Sequence, residues 1–163
     1  MSHPIRNKKQ IALANIVLLM REYQKKHNIK KQCVTNCQYF YDNFKANYPL
    51  NNIKVKAVIG ISLNDDRTII YRGHVVVEVD EKFILEPSYE VYSTDNIEYF
   101  DNIKQFMNTY KFPNKNDMKH LIKDFVSFTK LADAINNEEL TITDTEYYNN
   151  QADYVEEKIK PFM

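Results

Sequence analysis

Cys33 and His74 are the residues of this chain whose types and order are suited to nucleophilic chemistry. A thiol becomes a good nucleophile when its pKa falls, and a helix N-terminus and a nearby imidazolium are two common ways to lower it. Cys33 follows Lys30-Lys31-Gln32 at the predicted start of a helix, where positive charge also favours a thiolate. The sequence therefore predicts Cys33 as a nucleophile and His74 as its base.

Glu86 is predicted to orient His74. The histidine begins a strongly alternating strand, and its even-numbered residues share one face when the odd-numbered valines after it are buried. A short loop over residues 80–82 then brings Glu86 to the diagonal position from His74, within reach of a long side chain. The expected arrangement is a thiol, an imidazole and a carboxylate in series.

Three further residues are predicted to form the oxyanion and substrate region. Gln32 and Asn36 flank the cysteine, so their amides can assist the backbone N–H groups at the helix start in binding an oxyanion. Gly73 removes a side chain immediately before His74, where a substrate backbone would approach.

Cys37 and a zinc site are the alternatives for the same residues. Cys37 lies one turn after Cys33 and competes as nucleophile, although its position inside the helix suits a core residue. Zinc would be held by both cysteines and His74, with Glu86 or water as the fourth ligand. A Cys-x-x-x-Cys spacing lacks a second close pair of ligands, so we expect neither a metal nor another cofactor.

The elements that must position these residues follow from the spacing of apolar side chains. Helical spacing predicts helices over Lys8–His27, Cys33–Tyr48 (ended by Pro49), Asn96–Tyr110, Asn116–Asn136 and Thr143–Ile159. Runs of β-branched residues predict an antiparallel meander over Ile53–Leu63, Thr68–Val79 and Lys82–Leu85. We expect an α+β fold of N-terminal helices, a central antiparallel sheet and C-terminal helices.

Length and charge restrict the classes of function. The 163 residues suffice for one core and are too few for two ordinary domains, so we expect one domain over residues 1–163. Basic and acidic residues balance at 22 each, which predicts no nucleic-acid or anionic-membrane partner. The longest apolar stretch, Ile16–Met20, is far shorter than the roughly 20 residues of a membrane span. We expect a soluble, cytoplasmic protein.

Three segments together resemble the transglutaminase-like branch of the papain-like cysteine enzymes. They are a cysteine that begins a helix in Gln32–Asn36, a histidine that begins a β-branched strand in Gly73–Val79, and an acid before Pro-Ser in Ile84–Ser88. The chain departs from that pattern at Val76, where such families often have tryptophan, and at Glu86, where aspartate is commoner.

This resemblance implies a papain-like/transglutaminase-like core and an acyl-enzyme intermediate, with Cys33, His74 and Glu86 as the catalytic residues. The expected function is hydrolysis or transfer at an amide, ester or isopeptide carbonyl of a peptide, a protein side chain or a small amide. The rival is a non-catalytic binding or structural module, for example a viral accessory protein that kept the fold. In that case Cys33 is a small apolar residue and His74 an ordinary strand residue.

Overall fold

The computed structural model describes residues 8–45, 52–63, 69–81, 83–89, 97–111, 114–140 and 144–160. Five helices and four strands lie in these ranges. In chain order they are α1 (Lys8–Lys26), α2 (Cys33–Phe44), β1 (Ile53–Leu63), β2 (Ile69–Val79), β3 (Phe83–Leu85), β4 (Ile97–Phe100), α3 (Ile103–Thr109), α4 (Lys115–Asn136) and α5 (Thr145–Ile159). No helix in the described ranges is long and apolar enough to cross a membrane.

The four strands form one antiparallel sheet in the order β3-β2-β1-β4. β1 and β2 pair along their whole length, from Ile53 opposite Val79 to Leu63 opposite Ile69. The β-branched residues that fill both strands suit a pleated, buried surface, which is why this long hairpin forms the centre of the sheet. The expected class of helices around an antiparallel sheet is confirmed.

The predicted register between β2 and β3 is also confirmed. Asp80 and Glu81 adopt left-handed backbone conformations, with φ of 55° and 59°, and turn the chain back on itself. Glu78 then lies opposite Ile84, and continuing this register places Glu86 diagonally from His74.

The segment Asn96–Tyr110 is predicted as one helix, but its described residues, 97–110, contain the strand β4 followed by the helix α3. β4 pairs with the outer edge of β1, from Ser62 opposite Ile97 to Ile59 opposite Phe100. The Asn102 side chain accepts hydrogen bonds from two first-turn N–H groups and so begins α3 at Ile103. The apolar residues at three-residue steps also fit a helix. Residues 97–100 form a strand because they pair with the open edge of β1.

The other predicted bounds agree with the structure within the described residues. α1, α4 and α5 begin or end within two residues of their expected limits. α2 ends at Phe44. Outside the described residues lie residues 46–48 of its predicted length, Pro49, the expected turn at residues 64–66, Thr68, Lys82, Asn96 and Thr143.

The main core lies between β1, β2 and the helices packed on them. α2 packs on β2, α4 packs on both long strands, and α1 packs on α5. The fully buried residues here include one from each of α1, α2, β2, α4 and α5: Leu13, Phe40, Val77, Ile135 and Val155. Full burial of one such side chain stabilises the fold by about 1.5–3 kcal/mol. This packing holds the first turn of α2 against the middle of β2.

Candidate functional site

The start of α2, the middle of β2, the segment after β3 and one side of α4 line an open cleft of about 550 Å³. Cys33 and His74 both line it. Lys31, just before α2, has a φ of 59°, a left-handed conformation uncommon for a residue with a Cβ. This turn directs the chain from α1 into the cysteine helix and places Cys33 at the mouth of the cleft.

The ring of His74 hydrogen-bonds to Glu86 and interacts with Cys33 closely enough for the thiol to raise the pKa of the ring. Its Nε2 atom lies 2.8 Å from Glu86 Oε2 and 3.0 Å from Oε1. Because both carboxylate oxygens lie at Nε2, the ring nitrogen left for the thiol is Nδ1. The structure therefore brings the three predicted residues together in the predicted order, and the contact between Glu86 and His74 is confirmed.

The electrostatic surroundings favour a protonated ring. His74 is 1% exposed, and burial alone would lower its pKa. The Glu86 carboxylate and the Cys33 sulfur outweigh burial and raise the pKa of His74 to about 10. The ring that shares the cleft with the Cys33 sulfur is therefore positively charged at neutral pH.

Glu86 is held by two further donors that sequence reasoning did not identify. The backbone N–H of Ser88 donates to Oε1 at 2.9 Å, and the Tyr99 hydroxyl donates to Oε2 at 2.9 Å. Tyr99 belongs to β4, which pairs it with Gly60 on the neighbouring strand. Since the sequence pattern assigned this segment to a helix, no signal placed Tyr99 beside the carboxylate.

The segment carrying Glu86 is fixed by α1. The Arg21 guanidinium donates to the carbonyl oxygens of Glu86 at 3.1 Å and Ser88 at 2.9 Å. Both carbonyls follow the end of β3, where sheet hydrogen bonds no longer order the chain. α1 thus positions the acid although it contributes no residue to the cleft.

Cys37 lies inside the core and does not line the cleft. Its side chain is fully buried, and burial, with the nearby Cys33 and Glu86 charges, raises its pKa well above the ordinary value. A thiol that resists ionisation and lies away from the cleft is a poor nucleophile. The geometry therefore favours Cys33 over Cys37.

Gln32 and Asn36 have different surroundings. Gln32 lines the cleft, and its amide donates to Asp144 Oδ2 at 2.7 Å, next to the start of α5. Asn36 is 2% exposed and lies behind the cleft, where its amide donates to Ser88 Oγ at 3.0 Å. Asn36 therefore reaches the cleft through Ser88, rather than directly as expected.

Gly73 lines the cleft, but its missing side chain is required by α4. Its N–H donates to Asp124 Oδ2 at 2.9 Å. A Cβ at this position would lie 2.8 Å from that oxygen and 2.9 Å from Phe128 Cδ2. Glycine is thus needed for close packing between β2 and α4, a reason different from the expected approach of a substrate backbone.

No group of three or more His, Cys, Asp or Glu side chains among the described residues is arranged to bind a metal ion. The zinc alternative required Cys37 and His74 as joint ligands. Cys37 is enclosed by the core, and His74 Nε2 faces the Glu86 carboxylate. The geometry does not support that alternative.

Comparison with protein-family models, curated proteins and solved structures gives no significant match to this chain. The resemblance carried by Gln32–Asn36, Gly73–Val79 and Ile84–Ser88 stays a prediction from the sequence. Any function of this chain must therefore be inferred from the geometry of the cleft itself.

Proposed function

We propose that the chain is a cysteine-dependent hydrolase or acyltransferase that acts on an amide, ester or isopeptide carbonyl. Cys33 is the nucleophile, His74 the base and Glu86 the acid that orients the ring. The observation that carries this proposal is one buried imidazole that hydrogen-bonds to a carboxylate and shares the cleft with a thiol that raises its pKa. Thiol, imidazole and acid in series form the usual apparatus for activating a cysteine.

Transfer of the thiol proton to His74 precedes the reaction, because the raised pKa of His74 keeps its ring protonated. The Cys33 sulfur then attacks the carbonyl carbon, and the electron pair of the C=O bond moves to the oxygen. When this intermediate collapses, the leaving amine or alcohol takes the proton from His74, and a thioester remains on Cys33. Water or a second amine releases the acyl group by the same steps in reverse order.

The first turn of α2 supplies donors for the oxyanion. The N–H groups at a helix start have no acceptor within the helix, and α2 has no capping hydrogen bond from the Gln32 side chain. Cys33, Val34 and Thr35 all line the cleft, and the proposal assigns their N–H groups to the oxyanion. Such preorganised donors stabilise developing negative charge.

A papain-like or transglutaminase-like core is part of this proposal. Two features support it: the nucleophile begins a helix packed on the histidine strand, and the acid directly follows the adjacent strand β3. The proposed substrate is a peptide, a protein side chain or a small amide, because each offers a carbonyl with an amine leaving group.

Labelling with limiting iodoacetamide at about pH 6.5 tests the proposal. We expect alkylation at Cys33 and not at Cys37, located by peptide mass mapping. An ordinary thiol is about 1% ionised at this pH, so His74→Ala should slow Cys33 labelling by about 10- to 100-fold. His120→Ala, at an exposed position on α4, is the matched control and should leave the rate unchanged.

Two results would contradict the proposal. Preferential labelling of Cys37 would remove Cys33 as the nucleophile. A Cys33 rate equal to that of free cysteine, and insensitive to His74→Ala, would favour a non-catalytic binding module with the same fold.

A further inference from the structure

Ser88 lines the cleft together with Cys33 and His74 and is only 3% exposed. Its backbone N–H is engaged by Glu86, so the hydroxyl is the group left to act in the cleft. A hydroxyl has one proton to donate and two lone pairs that accept. The direction in which the Ser88 hydroxyl donates its hydrogen bond depends on its buried neighbour Asn36. That amide presents either its NH₂ group or its carbonyl oxygen to the hydroxyl.

The direction is set by backbone groups, beginning at Gln24. The N–H of Tyr89 donates to Gln24 Oε1 at 2.8 Å, and Gln24 Nε2 donates to the carbonyl oxygen of Pro87 at 2.6 Å. A backbone N–H can only donate and a carbonyl can only accept. The orientation of the Gln24 amide is therefore fixed.

The fixed amide determines the orientation of each amide after it. Gln24 Nε2 donates to Gln151 Oε1 at 2.9 Å, which leaves Gln151 Nε2 to donate to Asn36 Oδ1 at 3.3 Å. The Tyr147 hydroxyl donates to the same Asn36 oxygen at 2.6 Å, and burial raises the pKa of Tyr147, which keeps its proton in place. Asn36 must then present its NH₂ group to Ser88 Oγ.

Ser88 Oγ is thus an acceptor on its buried side. Its own proton cannot point back at the Asn36 NH₂ group, and no hydrogen bond within the described part of the chain takes it. Ser88 lines the same cleft as Cys33, and Asn36 is one helical turn from Cys33. A buried hydroxyl with a directed, unused proton beside a nucleophile is suited to bind a substrate oxygen.

We propose that Ser88 donates a hydrogen bond to the carbonyl oxygen of the substrate as it becomes an oxyanion. This inference rests on the proposed acyl transfer from Cys33. The S–C bond forms, the C=O electron pair moves to oxygen, and the Ser88 hydroxyl and the N–H groups of the first turn of α2 bind that charge. Collapse restores the C=O bond and breaks the bond to the leaving group.

Two probes of Cys33 separate this role from activation of the thiol. Acetylation by p-nitrophenyl acetate passes through an oxyanion, with transfer of the acetyl group to sulfur and loss of p-nitrophenolate. Alkylation by iodoacetamide displaces iodide at a CH₂ carbon and forms no oxyanion. Ser88→Ala should slow acetylation on the order of 100-fold and leave alkylation unchanged, as expected for loss of one oxyanion donor.

Two further variants test whether the effect of Ser88→Ala comes from loss of the hydroxyl. Ser127→Ala removes an exposed serine on α4 and should change neither rate. Ser88→Thr keeps the hydroxyl and should retain acetylation. If Ser88→Ala does not fold, Asn36→Asp serves instead: its carboxylate would accept the Ser88 proton, so acetylation should fall while alkylation persists.

Three outcomes would overturn the inference, and they differ from one another. Equal acetylation by Ser88→Ala and the parent would remove Ser88 as a donor while Cys33 stays active. Equal slowing of both reactions would mean that Ser88 acts through Glu86 and His74. A parent protein whose Cys33 reacts with neither probe would overturn the proposed function itself.

Discussion

At the scale of single residues, the ring of His74 responds to both of its neighbours. The histidine is buried, a condition that on its own favours the neutral ring. Its raised pKa shows that the carboxylate and the sulfur together exceed the cost of burial. The protonation of this ring is therefore a sensitive measure of the pairing with Glu86.

Glu86→Gln should lower the pKa of His74 from about 10, because the substitution keeps the shape of the side chain and removes the charge that favours the imidazolium. An NMR titration of the His74 ring in parent and variant measures the change. His120, exposed on α4, is the internal control and should titrate alike in both proteins. An unchanged His74 midpoint would mean that another group holds the ring protonated.

The same pairing predicts a pH dependence of stability. The folded pKa of His74 is about 10, above the value of roughly 6.5 in an unfolded chain. The folded state therefore binds more protons between these values, and the stabilisation, full below about pH 6.5, is lost as pH rises through about 10. The difference in free energy of unfolding between parent and Glu86→Gln should be larger at about pH 6 than above pH 10, by urea denaturation. A difference that grows with pH would contradict this.

At the scale of elements, the periodicity of the sequence predicted the features that depend on residues close together in the chain. The alternation after His74 and the three-residue loop were enough to place Glu86 beside the ring, since a strand repeats every two residues. β4 was missed because its apolar spacing also fits a helix, and pairing with β1 is a tertiary effect. Tyr99, and with it one of the donors to Glu86, could not be predicted for that reason.

The contact between β2 and α4 gives a prediction at this scale. Gly73→Ala would place a Cβ within 3 Å of side-chain atoms of Asp124 and Phe128 and 3.1 Å from the Asp124 backbone carbon, so these residues of α4 must shift. We expect a loss of about 1–3 kcal/mol in the free energy of unfolding, as for other overpacked sites. Arg72→Ala, the exposed neighbouring position on β2, is the control and should change stability by less than about 0.5 kcal/mol. Equal stability of Gly73→Ala and the parent would show that the contact is loose.

At the scale of the whole molecule, buried amides join parts of the chain that are far apart in sequence. Gln24 of α1, Asn36 of α2 and Gln151 of α5 meet behind the cleft. Sequence periodicity identified the three helices but gave no sign of these contacts, because polar residues in amphipathic helices are usually on the solvent side. The role of Asn36 as a support for Ser88 follows only from the tertiary structure.

Tyr147→Phe tests the energetic value of this buried network. The substitution keeps the aromatic ring and removes the donor to Asn36 Oδ1, so we expect a loss of about 1–2 kcal/mol in the free energy of unfolding. Tyr110→Phe removes a hydroxyl that donates to Glu98 at the surface and should cost less than about 0.5 kcal/mol. If Tyr147→Phe and Tyr110→Phe lose the same free energy of unfolding in chemical denaturation, the buried network adds no more stability than a surface hydrogen bond.

The position of Gln151 also affects when the cleft can become functional during synthesis. Gln151 follows Asn36 by 115 residues, and the ribosome adds about 5–20 residues per second. The cysteine helix is therefore made on the order of 10 s before the residue that fixes the Asn36 amide. Through that interval the nascent chain carries the nucleophile without a directed Ser88 proton. The proposed oxyanion donor is therefore complete only after α5 has been made, although Cys33, His74 and Glu86 are all made earlier.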